Sequence, residues 1–304
     1  MIYEVKKQPL PNGETMAYRE AGSEKSSRTL LLIHGNQSSS LYFEFLMQEF
    51  SHLAHIFAID MMGFGDSSYQ NPHNAMMDWA EDTAQFMEAK KIRQAVVLGW
   101  SAGGGTAMEL AAGHPDKVQH LVLLASVGVR GFLLPERNAD LTPVEGKYLS
   151  RREEVVKDPV IMIPINAAIR NRDTAFLHRV WEKTIFNLRQ PEAAVFDAYM
   201  NAILQERCFT DISVALCQFN ITKEKAVVEG NGRISEIRCP VTWVHGKEDL
   251  VVPFSTGEES IACFPSEARL EALEHAGHAS FMDQPEKFHT ILEQVLLRYG
   301  KDRA

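Results

Sequence analysis

The segment from residue 94 to residue 108 constrains the fold of this chain more than any other. An apolar run, Ala95-Val96-Val97-Leu98, leads into Gly99-Trp100-Ser101-Ala102-Gly103, and small residues follow in Gly104-Gly105-Thr106-Ala107. The order of these runs predicts a buried strand, a sharp turn and a helix. Glycines flank the serine because side chains at those two positions would collide with the neighbouring strand and helix. The turn therefore requires a strand and a helix that pack closely on each other.

Such a turn is expected to expose the hydroxyl of Ser101 above the edge of the sheet. The backbone N–H of Ala102 then lies at the start of a helix, where unpaired donors and the positive end of the helix dipole can hold a developing oxyanion. This arrangement is a nucleophile elbow. Gly-x-Ser-x-Gly also occurs by chance at ordinary turns, so the rest of the chain has to supply the partners of the serine.

Length and composition fit a globular α/β protein. The chain has 304 residues and 45% hydrophobic residues, which is enough for one large domain or for a core with an inserted lid. Its formal net charge of -9 and pI near 5.7 argue against binding to a polyanion. No run of five or more Lys and Arg residues occurs. We therefore expect no nucleic-acid partner.

The N-terminal segment and the cysteines indicate a cytoplasmic location. No apolar stretch typical of a signal peptide follows Met1–Lys7, and nowhere do eighteen apolar residues run together. We expect a soluble, unexported protein without membrane insertion, a monomer or a homodimer. The cysteines lack C-x-x-C spacing, which favours reduced and mostly buried thiols over a disulfide framework or a zinc site. They are Cys208, Cys217, Cys239 and Cys263.

Strand-like and helix-like segments alternate along the first part of the chain. Residues 3–21 read as an antiparallel hairpin around the turn Pro9–Gly13. Continuous apolar runs predict further strands at Thr29–Ile33, His55–Asp60 and Val118–Ala125, with helices at Tyr42–Phe50 and Trp79–Lys91 between them. This alternation predicts a mostly parallel, doubly wound sheet.

The alternation stops near Gly128 and resumes after Ile237. The intervening segment reads as helical, without strand-like runs and rich in large apolar side chains. Two apolar helix faces are expected, one with Phe176, Leu177, Val180, Trp181 and Ile185 and one with Val195, Phe196, Tyr199 and Ile203. We interpret residues 128–237 as an inserted helical cap, between a first core part at 1–127 and a second at 238–304. That second part contains a predicted strand Val241–His245, a helix Ser255–Cys263, a strand Ala268–Leu273 and a helix Pro285–Tyr299.

A serine hydroxyl is a weak nucleophile unless a base takes its proton and an acid orients that base. Two late segments offer such groups, Gly246-Lys247-Glu248-Asp249 and Glu274-His275-Ala276-Gly277-His278. The order serine, acid, histidine is the order of α/β-hydrolases, in which each residue follows a strand at the ligand-binding edge of the sheet. Glu248 competes with Asp249 for the role of the acid, and His275 competes with His278 for that of the base.

Taken together, these motifs make the chain resemble the α/β-hydrolase superfamily, in its capped branch with a His-Gly oxyanion motif. Four motifs carry the resemblance, which covers nearly the whole chain. They are His34-Gly35-Asn36, Asp60-x-x-Gly63-x-Gly65-x-Ser67, Gly99-x-Ser101-x-Gly103, and Gly246-x-x-Asp249 together with Gly277-His278.

The resemblance implies a role for each candidate residue. Ser101 is then the nucleophile, His278 the base and Asp249 the acid, while the N–H groups of Asn36 and Ala102 form the oxyanion hole. It favours a structural or orienting role for His34, a solvated or supporting one for His275, and loop architecture for Asp60 and Asp66. Trp100, Trp181 and Tyr199 are candidates for the substrate pocket, although each is also a plausible core residue. No cofactor is expected, and no ligand cluster points to a metal site.

The implied chemistry is acyl transfer from a small, partly apolar substrate to water. A serine at the elbow argues against haloalkane dehalogenases and epoxide hydrolases, whose chemistry requires a carboxylate nucleophile. Esters, thioesters and lactones remain, and a short local similarity to the acyl-homoserine lactonases of this fold adds a lactone as a leading alternative to a carboxylic ester. Cofactorless haloperoxidases or perhydrolases and C–C bond hydrolases use the same triad, and a ligand-binding receptor on this fold is a further alternative.

Overall fold

The computed structural model of the protein describes residues 3–300. Ten strands are present in this range: β1 (Lys6–Pro9), β2 (Thr15–Ala21), β3 (Thr29–Ile33), β4 (His55–Ile59), β5 (Ala95–Trp100), β6 (Val118–Leu124), β7 (Pro135–Arg137), β8 (Pro143–Tyr148), β9 (Val241–Gly246) and β10 (Ala268–Leu273). Eight of them form one sheet in the order β1-β2-β4-β3-β5-β6-β9-β10. The pairs β1–β2 and β2–β4 are antiparallel and the other pairs are parallel.

Helices connect the strands and cover the sheet. Their bounds are α1 (Glu44–Phe50), α2 (Met76–Ala89), α3 (Ala102–Gly113), α4 (Arg152–Val155), α5 (Met162–Asn171), α6 (Thr174–Thr184), α7 (Ala193–Ile203), α8 (Phe209–Cys217), α9 (Phe254–Ile261), α10 (Ser280–Asp283) and α11 (Pro285–Leu297). Short 3₁₀ helices lie at Ser40–Phe43 and Arg233–Glu236.

The central strands are buried on both faces, as their continuous apolar runs predict. In β3, Leu30 and Leu32 belong to one apolar layer, and Leu31 and Ile33 belong to the other. The first layer also includes α1, α11 and side chains from α5, α6 and α7. The second contains α2, α3 and part of α8. Burial on both faces fixes the register of the strands and hence the positions of the loops at their carboxyl ends.

The predicted mostly parallel sheet with flanking helices is confirmed, and most element bounds agree within three residues. Helix α2 begins at Met76 rather than at Trp79, because Asp78 Oδ2 accepts hydrogen bonds from the N–H groups of Asn74 at 2.7 Å and Ala75 at 3.0 Å. A carboxylate in the first turn satisfies the free N–H groups of a helix start.

The segment 128–237 differs from its sequence prediction in two respects. It contains the helices α4 to α8, and it also contains the antiparallel hairpin β7–β8, which the sequence analysis did not expect. Apolar periodicity missed this hairpin because most of its residues are exposed. Val195, expected on an apolar helix face, is 40% exposed, so that face of α7 is formed by Phe196, Tyr199 and Ile203.

The four cysteines are unpaired thiols, three of them buried and Cys263 partly exposed. No helix within residues 3–300 is long and apolar enough to cross a membrane. The prediction that the protein is not exported used the first seven residues of the chain. Two of these, Met1 and Ile2, lie outside the described residues.

Candidate active site

Ser101 occupies a sharp turn between β5 and α3. Its backbone has φ 54° and ψ -120°, a combination that a residue with a side chain adopts only when the surrounding structure enforces it. A Cβ atom on Gly99 would lie 2.4 Å from the carbonyl oxygen of Gly103, and one on Gly103 would lie 2.3 Å from that of Ile33. Both positions are therefore closed to any larger residue, as the sequence pattern indicates.

The loop after β3 lies directly against this turn. A Cβ atom on Gly35 would lie 2.9 Å from Ser101 Cβ and 3.5 Å from its Oγ. The next residue, Asn36, has a backbone N–H with no acceptor among residues 3–300. The N–H of Ala102 is the first of helix α3, so it has no carbonyl partner within the helix. Both amides that the sequence singles out are thus free to donate near Ser101.

His34 holds this loop in place. Its Nδ1–H donates to the carbonyl oxygen of Gly35 at 2.7 Å, and its Nε2 accepts the N–H of Met61 at 3.0 Å. Burial lowers the pKa of His34 to about 4, against a smaller opposing effect of the Asp60 charge. The neutral ring keeps the lone pair that the Met61 N–H requires. The geometry is that of an orienting histidine, as the resemblance implied.

Asp249 and His278 are in direct contact. His278 lies after β10, and its Nδ1 is 2.8 Å from Asp249 Oδ2. The other carboxylate oxygen, Oδ1, accepts the N–H groups of Val251 at 2.8 Å and Val252 at 2.9 Å. Since Asp249 accepts a hydrogen from Nδ1, the lone pair of His278 is on Nε2.

Burial alone would raise the pKa of the Asp249 carboxyl. The charge of His278 and the hydrogen bonds from His245 and His278 outweigh it and hold the pKa well below its usual range. Asp249 is therefore ionised at neutral pH and available to stabilise an imidazolium.

The competing residues lie elsewhere. Glu248 pairs with His275 at the surface, with Oε1 at 3.3 Å from Nδ1, and neither contacts His278. Asp60 accepts the N–H groups of Ser40 at 2.7 Å and Asp66 at 3.0 Å, which is the loop role expected of it.

A cavity of about 280 Å³ extends from Ser101 between the sheet and the segment 128–237. Ser101, His278, Asn36 and Ala102 line its base. No Asp, Glu, Lys or Arg side chain of the described residues lines it. Its apolar walls are formed by residues that include Phe132, Leu134, Ile165, Phe176, Val180, Trp181, Ile185, Phe209, Leu216 and Leu250. A more open groove of about 1240 Å³ lies at the opposite edge of the sheet, far from these groups.

Two of the three aromatic pocket candidates line the cavity, and the third does not. Trp100 and Trp181 line the cavity, and Trp100 also donates its Nε1–H to the carbonyl oxygen of His278 at 3.1 Å. Tyr199 is not among the lining residues. Its ring stacks on Tyr42 with centroids 3.9 Å apart, which places it in the packed layer behind the cavity.

Ser101 and His278 face the same cavity, and no hydrogen bond between their side chains is present in the described part of the chain. Catalytic hydrogen bonds of ligand-free enzymes are often long and shorten when substrate binds.

The sequence matches the family profile described as alpha/beta hydrolase fold over residues 28–158. The chain has the α/β-hydrolase fold. The protein is 28% identical over 264 residues to a pimeloyl-[acyl-carrier protein] methyl ester esterase of Neisseria meningitidis, a match that covers 87% of this chain and 91% of the relative.

Solved structures support this fold. An esterase from Exiguobacterium antarcticum superposes with a TM-score of 0.71 at 19% identity, covering 97% of this chain and 100% of the other. The enol-lactonase from Burkholderia xenovorans superposes with a TM-score of 0.73 at 17% identity, covering 96% of this chain and 100% of the other. At these identities the likeness concerns the fold alone.

Two contacts of this site were not predicted from the sequence. His245, the last residue but one of β9, lies 3.2 Å from Asp249 Oδ2 through its Nε2. Asp283 Oδ2 accepts the N–H of Gly277 at 2.8 Å and so fixes the loop that carries His278. The His245-Gly246 pair repeats the His34-Gly35 pattern at the end of another strand, and that repetition is the signal that could have identified it. No group of three or more side chains that could hold a metal ion occurs among residues 3–300.

Proposed function

We propose that this protein is a serine hydrolase that cleaves a carboxylic ester or a lactone of a small, neutral and partly apolar substrate. Ester hydrolysis is the general activity that the esterase relative supports. The observation that carries the finer proposal is the joint position of an elbow serine and a buried His–Asp pair at the base of one apolar cavity.

In the first half of the proposed reaction, Ser101 Oγ attacks the carbonyl carbon and His278 Nε2 takes the proton of the hydroxyl. The negative charge on the carbonyl oxygen develops beside the N–H groups of Asn36 and Ala102. Loss of one such donor typically lowers the rate about 10²- to 10³-fold. His278 then protonates the leaving alcohol oxygen, and the C–O bond of the ester breaks.

In the second half, a water molecule attacks the acyl-enzyme. His278 takes a proton from that water and returns it to Ser101 Oγ as the carboxylic acid leaves. Asp249 remains ionised throughout and stabilises the imidazolium that forms in each half. A lactone follows the same steps, except that the alcohol and the acid remain parts of one product.

The cavity supports the choice of substrate. Among residues 3–300, no Asp, Glu, Lys or Arg side chain lines it, so a charged acyl group would lose its hydration without gaining an ionic partner. Its volume of about 280 Å³ is slightly below the range of about 300–1,000 Å³ that is typical of ligand pockets. We therefore propose a short or medium apolar acyl group.

We also propose that residues 128–237 act as a cap over this site. The walls of the cavity facing the sheet come from this segment, including Phe132, Ile165 and Trp181. Such a cover excludes water and strengthens the electrostatic contacts at the base of the site.

The test is a panel of p-nitrophenyl acetate, butyrate and octanoate together with acyl-homoserine lactones, each measured with the wild type and with Ser101→Ala. We expect turnover of one of these classes, no turnover by the variant, and a melting curve of the variant close to that of the wild type. A phosphonofluoridate probe should label the wild type at Ser101. Hydrolysis that continues unchanged in Ser101→Ala would refute the proposal, and ligand binding without any turnover would favour a receptor.

A further inference from the structure

His245 is fully buried beneath the proposed acid. Its Nε2 lies 3.2 Å from Asp249 Oδ2 and 2.9 Å from the carbonyl oxygen of Val252. Its Nδ1 lies 3.1 Å from Trp243 Nε1. The edge of Phe254 packs against the ring, with centroids 5.7 Å apart, so the imidazole is held on several sides.

These partners fit one tautomer of His245. An indole N–H can only donate, so the Nδ1 that faces Trp243 carries the lone pair. The carboxylate of Asp249 and the carbonyl of Val252 can only accept, so the Nε2 that faces them carries the hydrogen. Helix α9 closes over the Trp243–His245 contact, because a Cβ atom on Gly257 would lie 2.9 Å from Trp243 Nε1 and 3.0 Å from His245 Nδ1.

Asp249 therefore receives hydrogen bonds at all of its accepting positions. Oδ1 binds two backbone N–H groups, and Oδ2 is shared between His278 and His245. His245 and His278 are the titratable side chains of the described residues that contact this carboxylate, since the carboxylate of Glu248 lies at the surface with His275. The direction of Oδ2 toward His278 is thus fixed by a donor that does not reach the substrate cavity.

We propose that His245, held in its Nε2–H tautomer by Trp243, is a positioning residue that orients Oδ2 of Asp249 and disperses its charge while His278 carries the proton. The inference rests on the proposed function, since it assigns a task within the Ser101–His278–Asp249 mechanism. A carboxylate that gives part of its charge to a second N–H donor is a weaker base, so the proton stays on His278 until the leaving group takes it.

Two substitutions separate this role from packing. In His245→Gln the side-chain amide nitrogen reaches the position of Nε2 and can still donate to Asp249. In His245→Asn the amide reaches only the position of Nδ1, so the partner of Trp243 remains and the donor to Asp249 is lost. Both variants are measured with the best ester of the panel over a range of pH, beside their melting curves.

We expect His245→Asn to lower kcat about ten- to one hundred-fold, the factor that one hydrogen bond to a charged group is worth. KM should not change, because His245 does not line the cavity. The acid-side midpoint of the kcat profile should move to higher pH, since a carboxylate with one donor fewer attracts the proton on His278 more strongly. His245→Gln should keep a kcat and a pH profile close to those of the wild type.

The proposal is overturned if both variants have the same kcat and the same pH profile, because the side chain would then serve only to fill space. NMR of the ¹⁵N-labelled histidines in the wild type provides a second test if His245→Asn does not fold. The proposal expects a hydrogen on Nε2 of His245 and none on Nδ1, and a hydrogen on Nδ1 contradicts it. Full activity of Ser101→Ala would instead refute the proposed function, so the two failures are distinguishable.

Discussion

Substitution of Asp249 by asparagine tests the proposed triad because the surroundings of the carboxylate allow only one outcome. Oδ1 accepts two backbone N–H groups, from Val251 and Val252, which belong to a fixed loop. The amide oxygen of asparagine must take this position, since an NH₂ group there would face two other donors. The NH₂ group then points at His278 Nδ1 and at His245 Nε2.

A donor opposite Nδ1 forces His278 into the tautomer with its hydrogen on Nε2. That nitrogen then has no lone pair for the proton of Ser101, which is the effect of the same substitution in the serine protease triad, where kcat falls about 10⁴-fold. This loss corresponds to about 5.4 kcal/mol of transition-state stabilisation. We expect a much smaller effect on folding, about 1–3 kcal/mol, because the two backbone hydrogen bonds remain and only lose the charge of their acceptor.

Initial rates of p-nitrophenyl ester hydrolysis and thermal melts measure the two effects separately. Glu248→Gln is the matched control, since it makes the same chemical change one residue earlier, at a carboxylate that pairs with His275 at the surface. We expect this control to retain wild-type activity. If Asp249→Asn keeps kcat within ten-fold of the wild type, the tautomer argument fails, and a large loss in Glu248→Gln would move the acid to that residue.

Two further predictions follow from the contacts of Gly35 and Glu206. Gly35→Ala should lower kcat about 10²-fold, because its new Cβ would lie 2.9 Å from Ser101 Cβ and must displace the nucleophile; wild-type rates of ester hydrolysis in this variant would contradict the placement. Burial raises the pKa of Glu206 well above its usual value, and the Gln37 N–H and the Arg207 charge offset only part of this effect. Above a pH of about 4.5 this carboxyl ionises in the unfolded chain but stays protonated in the folded chain. The free energy of unfolding therefore falls by up to about 1.4 kcal/mol for each unit by which the pH rises. Glu206→Gln should therefore stabilise the protein more at pH 8 than at pH 5 in chemical unfolding, and a difference that is independent of pH would show that the carboxyl ionises normally.

Much of the fold could be predicted from sequence because its central strands are buried on both faces. Runs such as Leu30–Ile33 leave an unambiguous apolar signal, and their alternation with helices restricts the topology. The hairpin β7–β8 left no such signal, since its side chains are largely exposed and its pairing depends on the turn at residues 138–142. In that turn Asp140 accepts the N–H of Thr142, a local feature that apolar periodicity cannot detect.

Some residues of the candidate site also left a local sequence signal, and others did not. The sequence could single out Ser101, Asp249 and His278 as candidates because glycines mark each of their turns, and steric necessity keeps those glycines beside them. Tyr199 and Trp181 were not distinguishable, because both lie on apolar helix faces and only the packing of α6 and α7 decides that Trp181 borders the cavity while Tyr199 stacks on Tyr42. Periodicity reports that a side chain is buried and not what it is buried against.

Two histidines at the ends of strands, His34 and His245, hold the loops around the strained turn of Ser101 in place. Ser101 is held at φ 54° by its neighbours, so the loops around it must be rigid. His34 joins the loop of Asn36 to Met61 after β4, and His245 joins the loop of Asp249 and Val252 to Trp243 in β9. Each imidazole donates through one nitrogen and accepts through the other, and each is followed by a glycine that lets the next segment approach closely. The segment 128–237 contacts the same loops, since Asn36 Nδ2 donates to Ser213 Oγ at 3.4 Å and Asn187 Nδ2 donates to the carbonyl oxygen of Glu248 at 3.2 Å. Substitutions of the apolar wall residues should therefore reshape the substrate cavity alone, whereas substitutions of Asn187 or Ser213 should also disturb the groups at its base.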